Sequence, residues 1–379
     1  MVLVVAAMVP TVAASQGSPV RSIVVFDGST VNAAAMQRIQ ELGGVKLKDL
    51  PLVNGAAVAL PATVSERALE HIPGVAYVEP DLVVTALAKK PPAPQPAQTL
   101  PWGVLRVNAP AVWPTYKGDA INVAIVDTGV DTAHPDLTNL KGGVSEVGYT
   151  TSYNDDNGHG SHVAGIVAAT DNTIGVVGVA PNANLYAVKV LDRRGSGYLS
   201  DIIDGLNWAI DHNIDVVNMS LGTSSYSSTF DAAVQKTIAA GVVVVAAAGN
   251  SGPGANTVNY PAKFPGVIGV AATDSNDVVA SWSSRGPEVD VAAPGVSIYS
   301  TYYKQSYATL SGTSMASPHV AGVAALVLMS PLGTQDDLDG DHVWDPADVE
   351  HRLERTAKPL GVATSYGAGL VQADLAVQP

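Results

Sequence analysis

The sequence predicts an α/β fold, a three-layer α/β/α arrangement around a mainly parallel sheet, preceded by a small α+β unit. Three observations carry this. From about residue 97, short β-branched runs alternate with helix-like stretches, the pattern of a parallel sheet covered on both faces. Residues 89–96 read KKPPAPQP, and four prolines in eight residues make an extended, poorly packed linker. Apolar residues are 47% and charged residues 14% of the 379, so the chain buries a large core and is not disordered.

The elements follow in chain order. Met1 to Ala14 is nearly all apolar and runs into Ala13-Ala14-Ser15, so residues 1–19 resemble a signal segment, although no Lys or Arg precedes Arg21. The stretch is short for a membrane span. Residues 22–87 fit a βαββαβ unit. Within it Ser22 to Phe26 reads as a strand, and 31–42 as a helix stopped by Gly43-Gly44. Val53 to Leu60 is a strand, 62–72 a helix ended by Pro73-Gly74, and Val75 to Val78 the last strand. Beyond the linker, strands are expected at 121–126, 184–190, 214–219, 242–248 and 267–272, and helices at 159–169, 200–212 and 228–240. Functional groups in such sheets gather at the carboxyl ends of the strands, so the residues just after each strand are the ones to read.

Twenty Lys+Arg against thirty-four Asp+Glu gives 20 − 34 = −14. That balance repels phosphate backbones and anionic lipid, which argues against nucleic-acid and membrane partners, and it attracts cations. The absence of cysteine excludes disulfides, cysteine-ligated zinc, iron–sulfur sites and thiol nucleophiles.

Four segments carry chemistry. The first strand run ends in Asp127-Thr128-Gly129. Asn157-Gly158-His159-Gly160-Ser161-His162 puts a glycine-flanked histidine at a helix start. Ala248-Gly249-Asn250-Ser251 places an amide after a buried strand, and Gly312-Thr313-Ser314-Met315-Ala316-Ser317-Pro318-His319 opens an apolar helix with a serine. Each alone has a plain structural reading: a turn aspartate, a packed histidine, a turn asparagine, an N-cap serine. His159 and His162 as zinc ligands would need a third ligand that the sequence does not offer. Together, in the order Asp, His, Asn, Ser, they form a working set. Serine needs a base near neutral pH, the base needs a carboxylate to fix its tautomer, and a developing oxyanion needs a donor.

On these segments, with Val216 to Gly222 and Val291 to Gly295, the chain resembles a subtilisin-type serine protease (subtilase) from about Ala97 onward. The resemblance implies a subtilisin-like catalytic domain over 97–379, with Asp127 orienting, His159 as general base, Ser314 as nucleophile and Asn250 as oxyanion donor. It implies that residues 20–87 are a ferredoxin-like propeptide acting as chaperone and inhibitor, cleaved at Leu87-Ala88, with 88–96 as linker. Ser220, Leu221 and Gly222 would form one wall of the pocket for the side chain before the scissile bond. Ala247, Ala248 and Gly249 would form the other. Asn259 would stand on the floor, where the family often has glycine, which leaves the pocket depth open.

Calcium is implied twice. Gln98, Asp136 and Asn172 match side-chain ligands of a family calcium site, with carbonyls from Thr170, Ile174 and Val176. In the insertion 337–348, Asp337, Asp339, Asp341, Asp345 and Asp348 occupy positions 1, 3, 5, 9 and 12 of a twelve-residue calcium loop, with the Val343 carbonyl at 7. His342 stands at position 6, where glycine is usual, and Asp348 replaces glutamate at 12. The expected protein is a secreted, monomeric, calcium-dependent serine endopeptidase. It acts on protein or peptide substrates and is made as a self-processing precursor. Alternatives are a processing protease of narrow specificity, a silent calcium-binding scaffold and a histidine-based metallohydrolase.

Overall fold

The computed structural model describes residues 19–28, 32–86 and 97–379. Residues 1–18 of the signal-like segment, the Leu87-Ala88 bond and the 88–96 linker lie outside the described residues. The chain forms two compact units, Met1–Asp81 and Leu82–Pro379. The division falls before Leu87 because Val83–Ala86 pairs with strands of the second unit.

The first unit runs β1 (Val20–Phe26), α1 (Ala33–Glu41), β2 (Val45–Leu50), β3 (Gly55–Leu60), α2 (Glu66–Glu70) and β4 (Val75–Pro80). Its antiparallel sheet has the order β2-β3-β1-β4, the expected βαββαβ pattern. The Asn32 side chain accepts the Ala35 N–H at 3.1 Å and so starts α1. Val24, Phe26, Met36, Ile39, Val58, Leu60 and Leu69 form the core. The pattern requires one strand more than the sequence marks. It is β2, an edge strand whose Val45 and Leu47 are exposed between lysines, so it lacks a buried stripe. The second helix is shorter than expected, because residues 62–64 turn and Ser65 is extended, so the helix begins only at Glu66.

The second unit holds β5 (Val83–Ala86), α3 (Trp102–Arg106), β6 (Asn122–Asp127), β7 (Leu140–Ser145), α4 (His159–Ala168), β8 (Asn184–Lys189), β9 (Ser196–Tyr198) and α5 (Leu199–Asp211). It continues with β10 (Val216–Met219), β11 (Leu221–Gly222), α6 (Ser228–Ala239), β12 (Val243–Ala247), β13 (Val267–Thr273), β14 (Val291–Pro294), the hairpin β15 (Ile298–Tyr302) and β16 (Ser306–Leu310), α7 (Thr313–Val327) and α8 (Pro346–Arg355). Seven strands form one parallel sheet in the order β14-β13-β12-β10-β6-β8-β7. Helices α4 and α7 pack on each other and on the central strands, while α5 and α6 pair in another layer. Along β6, Val123 and Ile125 join the core with α4 and α7; Ala124 and Val126, equally buried, point to the opposite face. Both faces are therefore apolar, as a sheet with two helical layers requires. Among the described residues no helix is long and apolar enough to cross a membrane.

One cluster in this unit is sensitive to pH. Glu350 and Glu354 lie one turn apart on α8, and their carboxylate oxygens and that of Asp290 all lie within 4.8 Å of one another. Asp290 also accepts the Gly269 N–H at 2.6 Å. Burial first, then like charge, pushes Asp290 up to about 8 and Glu350 up to about 7. Raised carboxyl values mean that the folded chain holds protons the unfolded chain has released. Stability from this cluster is full below the unfolded value, roughly 4.3, and declines as pH rises through the folded values. Glu350→Gln is expected to melt progressively higher than the parent between pH 5 and pH 8. A melting difference that stays flat across that window would contradict it.

Candidate active site

The three chemical side chains arrive from three elements at one sheet edge. Asp127 ends β6, His159 begins α4 and Ser314 is the second residue of α7. The glycines around His159 are there for space. Gly158 has φ +109° and lies against the Tyr302 ring, where a Cβ would not fit. At position 160 a Cβ would strike the Gly129 carbonyl oxygen. Without that close approach α4 would not bring His159 against β6.

His159 Nδ1 donates to Asp127, 2.8 Å from Oδ1 and 2.9 Å from Oδ2, and both side chains are buried. The Thr128 N–H holds Asp127 Oδ1 at 2.6 Å. A proton fixed on Nδ1 leaves Nε2 as the basic nitrogen. Nε2 is buried and, among the described residues, has no hydrogen-bond partner. The Ser314 hydroxyl donates to the Ser220 carbonyl at 3.1 Å instead. Contacts between a nucleophile and its base are often loose until substrate is present.

Ser314 stands where unsatisfied N–H groups and the helix dipole favour negative charge. Pro318, inside the same helix, has no N–H to give to the Ser314 carbonyl four residues earlier. The Ser220 hydroxyl fills that place at 2.8 Å. Asn218 donates to Ser220 Oγ at 2.9 Å and accepts from Ser317 Oγ at 2.7 Å, closing a buried loop of polar contacts beneath Ser314. Asn250 follows β12. Its Oδ1 accepts both the N–H and the hydroxyl of Thr313 at 3.0 Å. That fixes the carbonyl end of the amide, so the NH2 end is the donor on the other side.

Ser220 to Gly222 and Ala247 to Gly249 are buried. The Asn259 N–H donates to the Ala248 carbonyl at 2.8 Å. Its side chain reaches the two glycine walls: a Cβ on Gly249 would lie 3.0 Å from Asn259 Nδ2, and one on Gly222 would lie 3.1 Å from Asn259 Cβ. Strand β5 runs antiparallel to two partners at once, pairing Ala86 with Leu221 and Val84 with Gly197. An extended segment thus forms the middle strand of a three-stranded sheet, between β9 and the Leu221–Gly222 strand.

The two histidines of the helix do not form a metal pair. His162 Nε2 lies 3.0 Å from the carbonyls of both Ile298 and Ala308, and burial pushes its ring down to about 3. It is a packed, neutral histidine. His319 is similar: its Nδ1 meets the Met315 carbonyl at 2.8 Å, and burial lowers it to about 4.

Gln98, Asp136 and Asn172 are brought together. Gln98 Oε1 accepts the Asn172 N–H at 2.6 Å, and Asn172 Nδ2 donates to Asp136 at 2.7 Å. The Val176 N–H donates to the other Asp136 oxygen at 2.8 Å. Asp136 is fully buried, its donors here are amides, and burial raises its carboxyl above the usual range. The Thr170-to-Val176 loop wraps this carboxylate, with residues 97–99 bridged to it. In the insertion, oxygens of Asp337, Asp339 and Asp341 lie within 4.8 Å of one another. His342 adopts φ +65°, the left-handed turn for which such loops use glycine at this position. Asp345 and Asp348 form a reciprocal capping box at the start of α8, and Asp348 also accepts the Leu338 N–H at 2.9 Å. Val343, directly after His342, is exposed.

The sequence did not point to two buried charges beside the site. Asp155 accepts the Thr128 hydroxyl, the N–H groups of Asn157, Gly158 and Ser161, and the Ser161 hydroxyl. Lys189 ends β8 and is fully buried. The usable signal for each was its place: an aspartate just before a glycine-started helix, and a lysine closing a β-branched run.

Comparison with known proteins adds the following. Residues 118–369 match the model described as the subtilase family. The chain is 44% identical over 377 residues to subtilisin E of Bacillus subtilis (strain 168), covering 97% of this chain and 93% of that protein. It is 48% identical over 286 residues to a subtilisin of Bacillus pumilus, covering 74% of this chain and 100% of that protein. An alkaline protease of Shouchella clausii is 46% identical over 312 residues, 82% of this chain and 76% of that protein.

Proposed function

The chain belongs to the subtilase family and is a serine endopeptidase, and from that premise we propose that Asp127, His159, Ser314 and Asn250 carry the reaction in a secreted, calcium-dependent enzyme made as a self-processing precursor. The observation that supports this most is His159 Nδ1 held by both oxygens of Asp127 at the edge where α7 presents Ser314.

Ser314 Oγ attacks the scissile carbonyl carbon while His159 Nε2 takes its proton. The oxyanion is met by the Asn250 amide and the Ser314 backbone N–H. His159 then returns the proton to the leaving amine, giving an acyl-enzyme. Water, deprotonated by the same nitrogen, attacks the acyl carbon; the proton passes from His159 to Ser314 Oγ as it leaves, and the carboxylic acid is released. Asp127 keeps the imidazole in one tautomer and stabilises the imidazolium. The substrate binds as an added strand, as β5 does between β9 and β11. Asn259 between the pocket walls favours a side chain of leucine size, such as Leu87, over large aromatics.

Residues 20–87 act as chaperone and inhibitor, with Leu87-Ala88 as the first bond cut and 88–96 as linker to the 97–379 catalytic domain. The antiparallel seat of β5 and the separate core of the first unit support this reading. The apolar Met1 to Ala14 segment supports export, and the released enzyme works as a monomer on protein or peptide substrates.

Calcium suits the oxygen donors at both places. Asp136, Gln98 and Asn172, with carbonyls of Thr170, Ile174 and Val176, would hold one ion. Asp337, Asp339, Asp341, Asp345, Asp348 and the Val343 carbonyl would hold another. The ion would neutralise carboxylates that burial or mutual repulsion makes costly. Since it binds the folded chain, 100-fold excess over Kd stabilises by about 2.7 kcal/mol. Removing calcium with a chelator is expected to lower the melting temperature, with recovery on adding calcium and a smaller response in Asp136→Asn, which removes one of the two sites. A melting temperature indifferent to calcium in calorimetry would remove this part of the proposal.

The test of the active-site assignment is labelling with a fluorophosphonate. The adduct should map to Ser314, with activity on unfolded protein substrates lost in proportion to labelling. An adduct elsewhere, or activity surviving full labelling, would refute the assignment.

A further inference from the structure

A fully buried lysine requires a reason, because its ammonium must be satisfied entirely by protein groups. Lys189 Nζ donates to the Thr128 carbonyl at 2.7 Å, to the Leu191 carbonyl at 3.0 Å and to Asp156 Oδ1 at 2.7 Å. These partners belong to three different working segments. Thr128 follows Asp127 and holds its carboxylate through the backbone N–H. Asp156 lies in the loop that leads into His159, next to Asp155, which anchors that loop through the N–H groups of Asn157, Gly158 and Ser161. Leu191 begins the turn toward the substrate edge β9, closed by the Asp192 N–H donating to the Ser196 carbonyl at 2.7 Å. The backbone N–H groups of Val190 and Leu191 in turn donate to the Asp127 carbonyl at 2.9 and 3.1 Å.

The geometry assigns Lys189 as a positioning residue that pins the Asp127 turn to the His159 loop through one buried ammonium bound to Thr128 and Asp156. This rests on the reading of Asp127 and His159 as the working pair. Thr128 is gripped on both sides: Lys189 takes its carbonyl, and Asp155 takes its hydroxyl at 2.9 Å. The Gly160 N–H donates to that same hydroxyl oxygen at 2.9 Å, completing the tie from β6 to α4. The charged and titratable groups around the pair are Asp127, Asp155 and His162 near His159, and Asp156 and Tyr149 near Lys189. Tyr149 donates to the second Asp156 oxygen at 2.7 Å, so Asp156 is held while still partly exposed.

The experiment compares Lys189→Met, which keeps length and apolar stem, with Asp156→Asn in the mature enzyme on one peptide substrate. Lys189→Met is expected to lower kcat roughly ten- to hundredfold with KM within about twofold, since a small misplacement of the pair costs that much. The two variants should move the acid limb of kcat/KM in opposite directions. Losing the cation eases protonation of His159 and moves the limb up; losing the Asp156 carboxylate moves it down. That opposition reads the two charges, while the fall in kcat at nearly unchanged KM reads the positioning. If Lys189→Met does not fold, Asp156→Asn, at a partly exposed position, carries the test through its own fall in kcat at nearly unchanged KM. Folded variants with the parental kcat overturn the inference, wherever the limb lies. A fluorophosphonate adduct that maps to Ser314 in every variant keeps such a failure separate from failure of the active-site reading.

Discussion

Ser314→Ala is expected to leave the full-length chain uncut. In an intact-mass time course with calcium, the parent should lose a fragment ending at Leu87 while the variant keeps its full mass. The alanine removes one oxygen from a fully buried side chain, and with it the 3.1 Å hydrogen bond to the Ser220 carbonyl. The helix start, the Thr313 bonds to Asn250 and the Ser220 bond to the 314 carbonyl do not depend on the hydroxyl. The fold should therefore persist while turnover collapses. In subtilisins themselves, removal of this serine costs about a million-fold in kcat, a magnitude taken from those enzymes and not from this structure. Cleavage of both proteins at the same rate would mean another nucleophile. Cleavage of neither, with both folded, would leave the first unit as a permanent domain.

Asp127→Asn should cost about four orders of magnitude in kcat/KM with little loss of stability. The reason lies in the Thr128 N–H, which sits 2.6 Å from Asp127 Oδ1 and accepts nothing. An asparagine must turn its oxygen toward that donor. Its NH2 then faces His159 Nδ1, which can meet it only as an acceptor. The proton moves to Nε2, and the nitrogen that should take a proton from Ser314 already carries one. The check is a kcat/KM profile against pH beside a melting curve. Activity within tenfold of the parent would show that the carboxylate does not set the tautomer.

Much of this was legible in the sequence because the working residues sit at points where local signals are strong. Asp127 and Asn250 follow buried β-branched strands, and His159 is framed by glycines that the packing demands. The five strands expected after the linker lie within two residues of the observed ends. Edge elements escaped notice for the opposite reason. β2 alternates with lysine and exposes Val45 and Leu47, β7 contains Gly142-Gly143, and β14 has four residues ending in a proline. None presents an apolar run as long as those of the interior strands. The polar supports of the site were hidden by distance along the chain. Ser220 reaches the Ser314 carbonyl across 94 positions, and Lys189 reaches Thr128 across 61. Pro318 could be read as a helix breaker, whereas in α7 it releases one carbonyl for Ser220. Asn259 could be aligned with the pocket floor, but only the fold shows it against both glycine walls.

The seat of Val83–Ala86 between β9 and β11 also has a consequence for timing. A strand tied to the same chain meets its groove at an effective concentration in the millimolar range, which no dilution of the protein lowers. Once the connecting bond is cut, the same strand competes only at its bulk concentration. On the proposed reading, latency before cleavage is independent of protein concentration, and latency after cleavage depends on it. Processed enzyme would thus stay quiet where it is crowded and become active as it disperses.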